Sequence, residues 1–449
     1  MSITSRLSVW QKKKLCSLVN DANLSLLFKA SVHGYTATAF HQKCNTQGPT
    51  VVVAYNNTGY VFGAYTSKNY AQTNQIIVDE KAFLFSFNDK NIREDPLRVL
   101  NGNPQNAVID SGPNFGSLVF LYNNTATVNS NPTSGQYQFD PQQMHGNDLQ
   151  LVECEVYRVE DCGGLMDKPW RNIQWNVEKR KGLLSTVSEW KPSLSSVKQA
   201  RILLVGPVGA GKSSFFNSIN SVFKGYVSNQ ANTGTAGSSL TTQFRTYNIK
   251  PSSGMSHIPF TLCDTMGLEE GLNSGLDLDD FYNILNGHIQ DRYQFNSSMP
   301  IQSGTPYFNN SPGLKDKIHC VVYVMDTCKV KLLSDKMIDK FAVFRRKTNQ
   351  MSVPQLVLMT KVDEACPLVA EDLKNVYQSH YINRMMEEVS TQLGVSLSAV
   401  VPIKNYSKEL DIDPQTDILL LNAVIQMLRA VEGYFDDLNY VEESARVIG

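Results

Sequence analysis

Long apolar runs are missing from this 449-residue chain. None reaches the length of about 18 residues that marks a membrane-spanning helix. The first residues, MSITSRLSVWQKKKLC, contain no apolar core of the secretory kind. The expectation is therefore a soluble, intracellular, cytoplasmic protein, in which sequons such as Asn56-Asn57-Thr58 stay idle. An excess of one charge is missing too: 41 Lys and Arg face 42 Asp and Glu, a formal net charge of −1. Nothing global then favours nucleic acid or an anionic membrane, and the short basic runs at 12–14, 178–181 and 345–347 read as solvated helix faces. The eight cysteines form no C-x-x-C pair. His41 and Cys44 have ligand-like spacing, but no second pair completes a zinc site, and Cys263 and Cys320 sit in apolar strand-like runs as small core residues. Internal repeats and low-complexity tracts are also absent.

What is present divides into textures. Residues 1–160 are strand-rich: TVVVAYNNTGYVFGAYT and KAFLFSFND are β-branched or aromatic and bounded by Asn, Gly and Pro turns. This half contains no catalytic set at motif spacing, since neither His33 nor His41 has a Ser, Cys or carboxylate suitably placed nearby. Residues 161–198 form a helical connector carrying Trp170, Trp175 and Trp190, with helical spacing in VEKRKGLLSTVSEW. From 199 to 449, apolar strands (RILLVG, IPFTLCD, IHCVVYVMD, PQLVLMTK, SAVVPIK) alternate with helical patterns. That alternation predicts a parallel sheet covered on both faces. An insertion at about 271–314 interrupts the rhythm, helical at first and loop-like afterwards, and an amphipathic helix at about 416–438 closes the chain.

Between the first of these strands and a helix lies GPVGAGKSS. It satisfies G-x-x-x-x-G-K-S at Gly206, Gly211, Lys212 and Ser213. The glycines, with Gly209 and Ala210, let backbone amides wrap a phosphate at a helix N-terminus that begins with Ser213 and Ser214. Lys212 would reach the β- and γ-phosphates, and the Ser213 hydroxyl would bind Mg²⁺. The strand IPFTLCD ends in DTMG, where Asp264 can reach Mg²⁺ through water and the Gly267 amide can meet a γ-phosphate. A further strand ends in TKVD, the pattern with which the Ras-like GTPase class recognises guanine: Asp363 accepts from the ring N1–H and exocyclic amine while the Lys361 stem covers the ring. Adenine would leave that carboxylate unpaired. A switch threonine that completes the Mg²⁺ site belongs before the edge strand QFRTYNI, with Thr235, Thr241 and Thr242 as candidates and the last two better spaced. The loop IKNYS places Asn405 where this class supplies an amide to the base, although the usual S-A-K is absent. Arg245 reads as an ordinary strand residue. The residue after DTMG is Leu268, where a water-orienting glutamine often stands, so no catalytic residue can be named.

Taken together, the chain resembles the interferon-induced protein 44 family. LSLLFKASVHGY, GPTVVVAYNNTGYVFGAYT, KAFLFSF and GPNFGSLVFLY look like a TLDc domain. GPVGAGKSSFFNSI, FRTYNI, LNGHIQDRYQFN and IKNYS are similar to that family's GTPase-like half. The fold expected is thus multidomain: a β-rich TLDc-like domain, then an α/β Ras-like P-loop GTPase domain with an insertion. The resemblance implies an intracellular protein of the innate antiviral response that binds GTP or GDP with Mg²⁺. It leaves two functions open. One is a GTP-dependent switch with slow hydrolysis, meeting protein partners through the TLDc-like half or the insertion, with or without self-association. The other is an interaction scaffold in which nucleotide only stabilises the fold.

Overall fold

The computed structural model describes residues 4–20, 22–88, 96–133, 135–231, 241–249, 258–271, 274–296 and 299–448. It divides into two compact units, Ile3–Cys162 and, apart from Met1–Ser2, Gly163–Gly449.

The first unit is built on a six-stranded antiparallel sheet. In chain order its strands are β1 (Asn23–Lys29), β2 (Thr50–Asn56), β3 (Tyr60–Thr66), β4 (Phe83–Asn88), β5 (Leu97–Leu100) and β6 (Leu151–Glu160). In space they run β1-β6-β2-β3-β4-β5, so the last strand inserts between the first two. Every residue of β2 is buried, because both sheet faces are covered. Alternation then sorts the side chains: Val52, Ala54 and Phe62 enter one core with Phe40 of α1 (Ala37–Cys44), while Val51, Val53 and Tyr55 enter the other. His41 and Cys44 belong to this packing. The His41 ring pairs with Asn45 at 2.8 Å, Cys44 is wholly buried with its thiol pKa pushed up by burial, and no metal-binding cluster of His, Cys, Asp or Glu occurs among the described residues.

In the second unit, α2 (Val177–Glu189) is the helix expected in the connector. A six-stranded sheet follows: β7 (Ala200–Val205), β8 (Arg245–Asn248), β9 (Phe260–Asp264), β10 (Cys320–Asp326), β11 (Gln355–Thr360) and β12 (Val400–Pro402). The spatial order is β8-β9-β7-β10-β11-β12, with β8 antiparallel at one edge and every other pairing parallel. The central parallel strands are largely buried, as the covered sheet requires: all seven residues of β10 are buried. Over the faces lie α3 (Lys212–Lys224), α4 (Asp335–Gln350), α5 (His380–Leu393) and α6 (Pro414–Ile448). Among the described residues, the expected insertion contains one α-helix, Leu278–Leu285, and then irregular chain.

The closing helix α6 is longer than its apolar pattern suggested. Among the described residues, its Pro414–Tyr440 part is the one stretch long and apolar enough to cross a membrane, and most of it is buried in the unit's own core. Ile418, Leu421, Val424, Leu428 and Val431 face that core. α2 packs against α6, and the Arg180 guanidinium pairs there with Asp417, which also accepts from the Tyr406 hydroxyl at 2.7 Å. Trp175 and Trp190 lie against the same core.

Candidate nucleotide site

The carboxyl ends of β7, β9, β10, β11 and β12 converge on one rim, where ligands of open parallel sheets bind. β7 runs into the glycine loop, and α3 begins at Lys212 immediately after it. Gly206 passes so close to β10 that a Cβ there would stand 2.1 Å from the Val324 carbonyl oxygen. Gly211 caps α3 with φ +95°, a left-handed conformation that side chains resist. These two glycines therefore have a backbone reason, and the loop they shape presents the helix N-terminus to the rim.

Lys212 departs from expectation. Its position in the loop implies an exposed ammonium, yet it is only 7% exposed and donates to the carbonyls of Gly206 (2.9 Å) and Pro207 (3.1 Å). A buried ammonium needs acceptors, and the loop's own carbonyls supply them. Burial lowers its pKa, and the nearby Asp264 charge offsets part of that.

Asp264 ends β9, 1% exposed. Its Oδ2 accepts from the Ser213 hydroxyl at 2.6 Å, while its buried Oδ1 has no hydrogen-bond partner. Burial raises the pKa of this carboxyl, against the pull of Lys212, Ser213 and Thr241. Ser213 Oγ in turn lies 3.3 Å from Thr241 Oγ1. Two hydroxyls and a buried carboxylate with an unused oxygen form a hard, all-oxygen donor set, which suits Mg²⁺. Of the candidate switch threonines, Thr241 is at this cluster. Thr242 is exposed, with its carbonyl held by Phe295 N–H and the Gln294 amide. Thr235 lies outside the described residues. Ser214 opens the first turn of α3, its carbonyl bonded to the Ser218 hydroxyl at 2.7 Å.

Beyond Asp264 the chain is clasped to the glycine loop. A Cβ on Gly267 would meet the Val208 amide nitrogen at 3.0 Å, and Leu268 N–H donates to the Gly206 carbonyl at 2.9 Å. The Gly267 carbonyl accepts from Leu276 N–H. The Leu268 side chain is 1% exposed. It is a packing residue, removed from solvent and from any attacking water.

The TKVD strand end and the loop after β12 are tied to the glycine loop by hydrogen bonds. Thr360 Oγ1 donates to the Ala210 carbonyl at 2.7 Å, and Asn405 Nδ2 to the Gly211 carbonyl at 3.3 Å. Asn405 Oδ1 is buried and without a hydrogen-bond partner. Lys361 adopts φ +59° at the strand end, and its ammonium pairs with Asp326 Oδ2 at 2.7 Å. Burial would lower the Lys361 pKa, but Asp326 outweighs it and the net direction is up. Asp363 sits in the one-turn helix Val362–Ala365, half-buried, with its pKa raised by burial and pulled back by Lys404. Arg245 pairs with Asp291 and stacks over Tyr247, an ordinary edge-strand arrangement. The site thus brings Gly206, Lys212, Ser213, Asp264, Gly267, Asp363 and Asn405 onto one rim. Sequence reasoning missed the Thr360 tie and the Asp326 partner of Lys361. Asp326 was legible as the acid closing IHCVVYVMD, in register with Thr360, but pairing between strands is not written in either strand alone.

Comparison with known proteins agrees with this two-domain architecture. The TLDc domain model matches residues 2–160, and the 50S ribosome-binding GTPase model matches residues 201–361. Human interferon-induced protein 44 is 35% identical over 446 residues, covering 98% of this chain and 96% of that protein. Human interferon-induced protein 44-like is 35% identical over 453 residues, covering 99% and 98%. Mouse interferon-induced protein 44 is 31% identical over 448 residues, covering 98% and 99%. Matched from end to end in this way, the chain belongs to the interferon-induced protein 44 family, a TLDc domain followed by a GTPase-type P-loop domain.

Proposed function

We propose that this protein binds guanine nucleotide with Mg²⁺ and acts as a GTP-dependent switch of slow turnover in the cytoplasmic interferon response. The observation that carries the reading is the Asp264–Ser213 pair with its unpartnered buried Oδ1, set beside Lys212 and tied through Thr360 and Asn405 to the Asp363 end. The amides of the glycine loop and the α3 N-terminus bind and orient the phosphates. Lys212 exchanges its two carbonyl partners for phosphate oxygens, which links nucleotide entry to a local rearrangement of the loop. Ser213 and Asp264, with Thr241, would hold Mg²⁺, which would supply positive charge to neutralise the phosphates. Asp363 accepts the N–H donors of guanine and discriminates against adenine. Eight free thiols suit a reducing compartment.

Turnover is expected to be slow. The side chain after DTMG is apolar and buried, so it aligns no water. Intrinsic Ras hydrolysis, ~3–5 × 10⁻⁴ s⁻¹ with a glutamine in place, sets the scale, and we expect at most roughly 10⁻³ s⁻¹. The clasp of Gly267 and Leu268 favours a second reading, a scaffold stabilised by nucleotide but not switched by it. Affinities for GTP, GDP and ATP with and without Mg²⁺, measured beside single-turnover hydrolysis, test both. Equal affinity for ATP and GTP would overturn the guanine assignment. Equal affinity for GTP and GDP, with no hydrolysis at any protein concentration, would leave the scaffold.

A further inference from the structure

The loop after β12 contains an ion pair that the nucleotide reading does not use. The Ile403 carbonyl accepts from Val362 N–H at 3.4 Å, so the two strand ends bring Lys404 and Asp363 onto adjoining turns. The Asp363 carboxylate attracts the Lys404 ammonium. Lys404 pairs instead with Glu409 Oε1 at 2.9 Å. Glu409 is held for this: its Oε2 accepts from the backbone N–H of Ser407 (2.8 Å) and Lys408 (3.1 Å), which turns the loop back on itself. Burial works against the Glu409 charge, but the Ser407 N–H bond and Lys404 prevail and bring its pKa down to about 2. The acids facing Lys404 are therefore Glu409, Asp363 and Asp413, of which Glu409 alone is in hydrogen-bond contact.

We infer that Glu409 is a positioning residue for base recognition, holding the Lys404 ammonium off Asp363 so that this carboxylate stays open to the N–H donors of a guanine. The inference rests on the proposed guanine site. A lysine released onto Asp363 would have to be displaced by each incoming base. Partly exposed ion pairs of this kind compete by roughly twofold to fivefold in affinity.

The test is calorimetric titration of the full chain with GTP and, separately, ATP, in Mg²⁺, for the native protein, Glu409→Gln, Lys404→Met and the double variant. Expected are GTP binding weakened roughly twofold to fivefold in Glu409→Gln, ATP binding unchanged, and GTP affinity restored in the double variant, where no lysine is left to compete. If Glu409 only shapes the loop, the double variant will be as weak as Glu409→Gln, and the inference falls. It falls equally if Glu409→Gln binds GTP like the native protein. Failure of the underlying reading looks different: the native protein itself would then show no preference for GTP over ATP.

Discussion

His319 should make the second unit acid-sensitive. It lies at the start of β10, fully buried, and both ring nitrogens are used: Nδ1 accepts from Arg201 N–H at 2.9 Å and Nε2 donates to the Leu314 carbonyl at 2.9 Å. Only the neutral ring with its proton on Nε2 satisfies both contacts. A proton added at Nδ1 would meet the Arg201 N–H and lose that bond. Burial drives the pKa down from 6.5 to about 4, the Leu314 contact resists, and the Arg201 charge adds to the fall. The folded pKa is thus below the unfolded one, the unfolded chain binds more protons between the two values, and stability falls as pH falls through that window. Relative to pH 7.5, the loss attributable to this one group is about 2 kcal/mol at pH 5 and about 3 kcal/mol near pH 4. The assay is urea unfolding followed by tryptophan fluorescence at pH 7.5, 6.5, 5.5 and 5.0, comparing the native protein with His319→Gln. Three of the four tryptophans, Trp170, Trp175 and Trp190, report on this unit. Other titrating groups cancel in the difference, so the native protein's advantage over the variant should shrink by about 2 kcal/mol between pH 7.5 and 5.0. A difference constant across that range to within about 0.5 kcal/mol would refute the argument.

Other substitutions probe the site directly. Asp363→Ala should weaken GTP binding by about 100-fold and leave ATP binding unchanged, because a base-paired carboxylate is lost only for guanine. A parallel loss for both nucleotides, measured by competition with a fluorescent analogue, would count against this role. Lys212→Ala should lower GTP affinity by about 10- to 100-fold, the worth of a charge-assisted hydrogen bond to phosphate. Unchanged affinity by calorimetry would remove Lys212 from the phosphate site. Leu268→Ala should not alter the hydrolysis rate per folded molecule, since the leucine does no chemistry. Because the side chain is 1% exposed, the substitution should cost about 2–5 kcal/mol of stability, visible in urea unfolding, and a cost near zero would contradict its burial.

Local pattern was enough for a good part of this molecule. The glycine loop, the β-rich first half, the alternating strands of the second half, the insertion helix and the DTMG and TKVD strand ends are all readable, because each rests on residues within a few positions of one another. A loop must bend where only glycine bends, and a doubly covered strand must be apolar throughout. Tertiary structure decided what depends on distant partners. Lys212 is buried because the Gly206 and Pro207 carbonyls face it, and Leu268 is packed because its backbone docks on Gly206. Thr241 rather than Thr242 meets Ser213, and neither threonine's neighbours announce which of them turns inward. His319 sits at the start of a readable strand, yet its neutrality is set by burial and by the N–H of Arg201, 118 residues away. Lys404 could have paired with Asp363 or with Glu409, and the choice follows from two backbone N–H groups that fix the Glu409 carboxylate. Short-range sterics and periodicity are encoded along the chain, whereas the desolvation and partner choice of each charged or polar group arise only when strands far apart in sequence are brought side by side.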